Sequence, residues 1–351
     1  MSYRVPLLSE IPTPEPTAPK VVSFFAGCGG SSLGYRMAGC RVIYANEFVE
    51  LATRTYKKNC PDYTIIDSRN VRSIEPESVL QQINLQPGEL DILDGSPPCS
   101  SFSTAGKREK DWGKVKQYGA SKRQRTDDLF FEYIRMVDGI KPKVFVAENV
   151  SGLVKGTSKG YFLEILENLK SLGYEVSCRL LDGSRLGVPQ KRVRTIFVGV
   201  RNDLGKQPVH PRPFPNTVTV KDAIPWVDNP QANPFPVEPE TDISRYAIAQ
   251  EYDKMGRPGT TSTKYFQLIR PALNEPCGSL VFAAGSKSSA GIVHPLEKRR
   301  FSIAEMKRLS GFPDDFVIEG NYVEQWERIS RAVPPLMMRE VAKTIRQEVL
   351  W

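Results

Sequence analysis

Histidine is almost missing from this chain: 351 residues contain two, His210 and His294. Serine or cysteine nucleophiles activated by histidine need one beside them, so Ser-His-Asp and Cys-His chemistry are disfavoured. Cysteine is sparse as well, at positions 28, 40, 60, 99, 178 and 277, with no C-x-x-C pair. A disulfide framework and a zinc site are therefore not expected, and no metal ligand is assigned. No apolar run approaches a membrane span, and the opening MSYRVPLLSEIPTPEPTAP has neither the charged n-region nor the apolar h-region of a signal peptide. The expectation is a soluble cytoplasmic protein.

Positive charge is in surplus. The formal net charge is +8, and from Lys107 to Arg125 eight Lys or Arg face only two acids. That run reads as a solvated loop, with Gly106, Gly113 and Gly119 to make it mobile; a polyanion such as a nucleic acid is the partner it would suit. A hydrophobic share of 40% is ample for a core of one large and one smaller domain.

Residues 1–19 are rich in proline and read as a flexible arm. From Lys20 the pattern alternates strand and helix: a buried strand Lys20 to Ala26, a glycine turn 27–30, and a helix Ser31 to Ala38 started by serine. Strands follow at Arg41 to Ala45, Tyr63 to Ile66, Asp91 to Asp94, Val144 to Ala147, Glu175 to Leu181 and Arg194 to Val200. Helices are expected at Asp127 to Gly139 and Phe162 to Leu172. This is a doubly wound, Rossmann-like α/β domain over residues 20–200. From 201 to about 275 proline is dense and helical periodicity is lost, so a small, mostly irregular or β domain is expected. Helix returns at Ser302 to Leu309, where Ser302 and Glu305 form a capping box, and at Pro335 to Val349; residues 276–351 are expected to rejoin the large domain.

Four segments could carry chemistry. In Asp94-Gly-Ser-Pro-Pro-Cys-Ser-Ser-Phe-Ser103, a strand stopped by Pro-Pro delivers Cys99 to the rim of the sheet, either as a nucleophile or as a buried apolar thiol. Ser23-Phe-Phe-Ala-Gly-Cys-Gly-Gly30 places small residues where a nucleotide-like ligand can approach, and Glu47, ending the next strand, could hold ribose hydroxyls. Glu148-Asn-Val150 ends the strand beyond that of Cys99, so the thiol and the acid should share one rim. In Gln190-Lys-Arg-Val-Arg194, alternation puts Gln190, Arg192 and Arg194 on one face with Val193 packed inward, and the arginines could fix a phosphate or an anionic ring.

Together, in this order, the motifs resemble those of DNA (cytosine-5) methyltransferases, from about residue 20 to the end. Besides those four, the resemblance includes Arg300-Phe-Ser-Ile-Ala-Glu305, Gly311-Phe-Pro-Asp314 and Arg331-Ala-Val-Pro-Pro335. It implies the class I methyltransferase fold, a target recognition domain over 201–275, S-adenosyl-L-methionine as donor, and double-stranded DNA as substrate. A monomer in the cytoplasm of a bacterial or phage-infected cell is expected, with a cognate restriction endonuclease as a candidate partner. By the resemblance Cys99 attacks carbon 6 of a cytosine flipped out of the duplex, making carbon 5 nucleophilic. Glu148 holds N3 and the exocyclic amine, Arg192 the base carbonyl, and Arg194 orients the acid and the thiol. Cofactor contacts carry over to Phe25, Ala26, Gly27, Gly29, Glu47, Asn70, Val71, Pro97, Leu129, Arg331 and Val333. The basic run becomes the loop that closes over DNA, and Gly259 to Tyr265 with Ala283 to Ser289 become candidates for base readout.

The chain departs from the family's pattern at three places. Ser23 replaces an acid, Asn70 replaces an aspartate while keeping a carbonyl that can accept from the adenine amine, and Ser330-Arg331 stands where Gly-Asn is usual. Arg331 could turn to solvent, pair with a local acid, or grip the methionine carboxylate. Alternatively it could select carboxy-S-adenosyl-L-methionine, making 5-carboxymethylcytosine. Two readings of other classes stay open: a catalytically inactive DNA-binding protein, and an RNA cytosine-5 enzyme.

Overall fold

The computed structural model describes residues 3–98, 116–117, 123–124, 128–154, 159–265, 268–281 and 291–351. Cys99, nearly all of the basic run and the segment Ala283 to Ser289 lie outside the described residues. Two compact units divide the chain. One comprises 11–181, 193–212 and 338–351; the other 1–10, 182–192 and 213–337.

The first unit is built on a sheet of β1 (Lys20–Phe24), β2 (Arg41–Asn46), β3 (Ile65–Asp67), β4 (Ile92–Gly95), β5 (Val144–Val150), β6 (Tyr174–Asp182) and β7 (Val193–Arg201). Their order is β3-β2-β1-β4-β5-β7-β6. Strands β1 to β5 pair in parallel, and β7 runs antiparallel to β5. This agrees with the expected doubly wound α/β fold. Helices α1 (Gly30–Met37), α2 (Glu50–Asn59), α3 (Pro76–Ile83), α4 (Leu129–Ile140) and α5 (Lys159–Ser171) form the crossovers. Both faces of the central strands are covered, which is why Val21, Val22, Ile92, Leu93, Phe145 and Val146 are completely buried and read as continuous apolar runs.

Register fixes the site. Phe24 lies opposite Asn46 and Gly95, Asn46 opposite Asp67, and Gly95 opposite Ala147. The carboxyl ends of all five parallel strands therefore share one rim, and the order turns between β1 and β4, where open α/β sheets form a crevice. Tyr133 of α4 ties β4 to β5 from one face, its hydroxyl donating to the carbonyls of Leu93 (3.0 Å) and Val146 (2.9 Å). Its ring packs against Gly95, where a Cβ would sit 2.4 Å from it.

The second unit holds α6 (Val220–Ala223), α7 (Ala247–Lys254), α8 (Ile303–Leu309) and α9 (Tyr322–Arg331), with a two-residue ladder pairing β8 (Thr260–Thr261) and β9 (Ile269–Arg270). Its small core gathers Ile243, Ile248, Tyr252, Met255, Leu268 and Val293. The expected capping box of α8 is present: Ser302 accepts from the N–H of Glu305, and the Glu305 carboxylate accepts from the N–H of Ser302. Helix α10 (Pro335–Glu348) crosses into the first unit, where Arg346 donates to the carbonyl of Ala38 at 2.8 Å.

Several expectations are corrected. Residues 3–19 are docked rather than a free arm: Tyr3 donates to the carbonyl of Arg308 (2.8 Å), Leu8 N–H to Asp315 (2.9 Å), and Arg41 to the carbonyls of Pro14 and Pro19. The compact units do not follow boundaries at 200 and 275. Residues 276–337 pack with the proline-rich segment, through the Asp242↔Arg299 bridge and the Ile303 N–H on Glu238, and 182–192 join them. Val193 is exposed at 37%, whereas Gln190 and Arg192 are buried. The strand begins only at Val193, so alternation carried back through the motif puts Val193 outward. Ser31 does not cap α1; the cap is Gly29 in the left-handed region, without a side-chain hydrogen bond.

Candidate active site

The turn after β1 is the most distorted stretch of the rim. Phe25, Gly27 and Gly29 all have positive φ, at 54°, 57° and 94°. For Phe25 that conformation is costly and is held only where surrounding contacts over-determine it, which is typical of ligand-binding turns. The Ala26 N–H donates to the carbonyl of Asn46. A Cβ at Gly27 would meet nothing within 4 Å, and at Gly29 it would lie 3.1 Å from the Tyr56 ring. The turn thus leaves open room beside Gly27 and closes against α2 on the other side.

Glu47, at the end of β2, is buried. Its carboxylate accepts from the N–H of Gly27 (2.8 Å) and of Val49 (2.7 Å), so it links the glycine turn to the start of α2 while retaining lone pairs for further donors. After β3, the Asn70 carbonyl accepts from Arg72 N–H at 3.1 Å. Val71 is buried, and Leu129 opens α4, also buried. These positions, with Phe25 to Gly29 and Pro97, follow the carboxyl ends of β1 to β4. Arg331 and Val333 belong to the second unit.

The chain leaves β4 through Ser96 and Pro97 toward Cys99. Asn149 donates to the Pro97 carbonyl at 3.1 Å and so anchors the Pro-Pro segment to β5. One residue earlier on β5, Glu148 forms an ion pair with Arg194 of β7, Nε to Oε1 2.8 Å, both side chains largely shielded. A carboxylate held by a planar guanidinium is fixed in orientation and keeps its second oxygen for another partner. Arg192 is placed differently. It lies in the second unit, nearly fully buried, and its Nη2 donates to the carbonyls of Ser330 (2.7 Å) and Ala332 (3.0 Å).

Arg331 ends α9 and pairs with Glu327 one turn earlier at 2.9 Å, as does Arg328. Sequence reasoning passed over two residues of the site. Asn149 could have been suspected from its place beside Glu148. Asp94 is completely shielded, accepting from Ser23 (2.7 Å) and Ser31 (2.8 Å); its signal was a lone acid inside an apolar strand. Burial pushes its carboxyl up to about 6, partly countered by the two serines. Among the described residues no cluster of three His, Cys, Asp or Glu could hold a metal, and no helix is long and apolar enough to cross a membrane.

The sheet order is that of the class I methyltransferase fold. Comparison with known proteins carries this to the family: C-5 cytosine-specific DNA methylases match residues 19–347, and the chain belongs to that family and is a DNA cytosine-5 methyltransferase. Among curated relatives, the Type II methyltransferase M.NgoFVII of Neisseria gonorrhoeae is 32% identical over 346 residues, covering 93% of this chain and 86% of that protein. M.NgoPII of the same organism is 30% identical, covering 93% and 95%. Among solved structures, a prophage-encoded E. coli protein described as a DNA modification methyltransferase superposes with a TM-score of 0.74 at 21% identity, covering 95% of this chain and 100% of that one. DNMT2 of Spodoptera frugiperda gives 0.66 at 17% identity, covering 93% and 99%.

Proposed function

We propose that this enzyme methylates carbon 5 of a cytosine turned out of duplex DNA, using S-adenosyl-L-methionine, with Cys99 as nucleophile and Glu148 and Arg194 as its partners on the base. The observation that carries the reading is the largely shielded Glu148–Arg194 pair at 2.8 Å, on the rim where β4 ends and the chain leads into Ser96, Pro97 and Pro98. The open room beside Gly27 and the paired oxygens of Glu47 fit a nucleoside with ribose hydroxyls. Phe25, Ala26, Gly27, Gly29, Glu47, Asn70, Val71, Pro97 and Leu129 would hold the cofactor, which when bound supplies an electrophilic methyl on sulfur.

Carbon 5 of cytosine is not nucleophilic enough to take that methyl unaided. Addition of the Cys99 thiolate to carbon 6 breaks the ring's aromaticity and leaves an enamine whose carbon 5 attacks. Glu148 hydrogen-bonds N3 and the exocyclic amine as charge builds on the ring. Arg194, paired with Glu148 at 2.8 Å, is the cation beside the base in this reading, while Nη2 of Arg192 donates to the backbone of Ser330 and Ala332. Loss of the carbon 5 proton then expels the thiolate and restores the ring. None of this is possible within the stack, so the base must be extruded, and the cationic run after Cys99 supplies phosphate contacts around it.

Arg331 is satisfied by Glu327, which supports ordinary methyl transfer over a carboxymethyl donor. The Type II names of the relatives support a sequence-specific modification enzyme working in the cytoplasm beside a cognate restriction endonuclease. Trapping tests the whole reading. A duplex carrying 5-fluorocytosine in the target site should form a covalent adduct that Cys99→Ala abolishes, and nucleoside mass spectrometry of ordinary modified DNA should show 5-methylcytosine, unchanged by Arg331→Asn. No adduct would leave a DNA-binding protein; modification of transfer RNA in place of duplex DNA would leave an RNA enzyme.

A further inference from the structure

Asp94 has no part in the chemistry above, yet it is the most deeply placed acid beside the cofactor turn. Ser23 precedes that turn and Ser31 follows it, eight residues later, and both hydroxyls donate to the same carboxylate oxygen, Oδ2, at 2.7 and 2.8 Å. The register of β1 on β4 sets Asp94 directly opposite Ser23. One carboxylate therefore fastens the last turn of strand and the first turn of helix on either side of Phe25, Gly27 and Gly29, the three positive-φ residues. The other oxygen, Oδ1, is buried and makes no hydrogen bond of ordinary geometry among the described residues, the Tyr35 hydroxyl meeting this carboxylate only loosely. A buried acid with an unused oxygen is expensive to keep, and stability alone gives no reason for it.

We propose that Asp94 is a positioning residue for the cofactor, its carboxylate clasping the glycine turn from the neighbouring strand in the conformation that receives S-adenosyl-L-methionine. The inference rests on the reading of that turn as the cofactor site. The clasp depends on charge: two hydroxyl donors on one oxygen are strong when the acceptor is ionised. The groups facing it are Ser31 and Tyr35 of α1, Tyr56 of α2, Tyr133 of α4 and Glu148 of β5. Burial holds the three phenols neutral far above neutral pH. Because the fold disfavours the ionised form, neutralising Asp94 should leave the protein as stable or make it more so.

The test is calorimetric binding of S-adenosyl-L-methionine from pH 5 to 8, with melting temperatures measured alongside. Wild-type affinity should weaken as pH falls through about 6. Asp94→Asn should bind at least about tenfold more weakly at pH 8, the expected loss for a charge-assisted hydrogen bond, with a flat pH profile and an unreduced melting temperature. The reciprocal Ser23→Asp/Asp94→Ser protein, which moves the acid across the same strand pair, should recover most of the affinity. Unchanged binding by Asp94→Asn, or a fall in affinity and melting temperature together, would overturn the inference. Should Asp94→Asn not fold, a flat wild-type profile would do the same. Failure of the wild-type protein to bind the cofactor at any pH would instead remove the reading of the turn, and this inference with it.

Discussion

Arg194 and Arg192 stand two residues apart in one motif and should behave as different kinds of residue. Arg194 pairs with a carboxylate at the rim; removing it leaves Glu148 without its cation and without a fixed orientation. Arg194→Ala is expected to lower turnover by about 100-fold or more, the range for a misplaced general acid, while shifting the urea midpoint little. Arg192→Ala removes a guanidinium that closes two backbone carbonyls within the second unit and should cost about 2–4 kcal/mol in urea unfolding. Equal stability losses for both would refute the division of roles. The histidines make a second prediction. Burial, aided by Arg299, pushes His294 down to about 3, and its Nδ1 accepts from the N–H groups of Leu296 and Glu297; burial pushes His210 down to about 4. A histidine held neutral in the fold gives stability that is complete above the unfolded value of 6.5 and is lost as pH falls below it, because only the unfolded chain then binds the proton. His294→Gln should therefore remove about 2 kcal/mol of the decline between pH 7 and 4.5, read as a flatter urea midpoint.

At the level of elements, close packing around β4 sets the geometry of the rim. Tyr133 is pinned at its hydroxyl to two strands and at its ring to Gly95, so it cannot withdraw from a new methyl group 2.4 Å away. Gly95→Ala is expected to destabilise the protein by about 1–3 kcal/mol through overpacking, measurable by urea denaturation; a neutral result would mean the helix α4 can shift. The central strands were legible because each buries both faces, so Val21–Val22 and Ile92–Leu93 read as unbroken apolar runs whatever their neighbours. Helices α7 and α9 were not anticipated. Ala247–Lys254 sits in a proline-rich stretch that masks it, whereas Tyr322–Arg331 carries a readable signal, Tyr322, Trp326 and Ile329 at helical spacing behind an Asn321–Glu324 capping box. Ser31 misled for a different reason: a serine at a helix start is normally a cap, but here a carboxylate from a strand more than sixty residues away takes its hydroxyl. Local pattern identified Glu148 and the arginine motif, and the resemblance assigned Arg194 to the acid; the pairing of β7 with β5, Val150 opposite Arg194, is what brings the two together.

For the molecule as a whole, the surplus of eight positive charges is unevenly spread, and six of them are accounted for by the stretch Lys107 to Arg125. A uniformly basic surface would bind DNA weakly everywhere; a concentrated one binds phosphates at one locus and leaves specificity to other residues. Each phosphate neutralised releases counterions and contributes a slope of about −0.9 in the dependence of log affinity on log salt. Replacing Lys107, Arg108 and Lys110 by glutamine should thus make the slope shallower by about 2–3 if all three meet phosphates, with similar loss of affinity on target and non-target duplexes. The preferred methylation sequence should not change, because backbone contacts carry no base information. Filter binding from 50 to 300 mM salt on both duplexes, with sequencing of the methylated positions, separates the outcomes. An unchanged slope would place these side chains away from the backbone, and a changed target sequence would move base readout into the basic run.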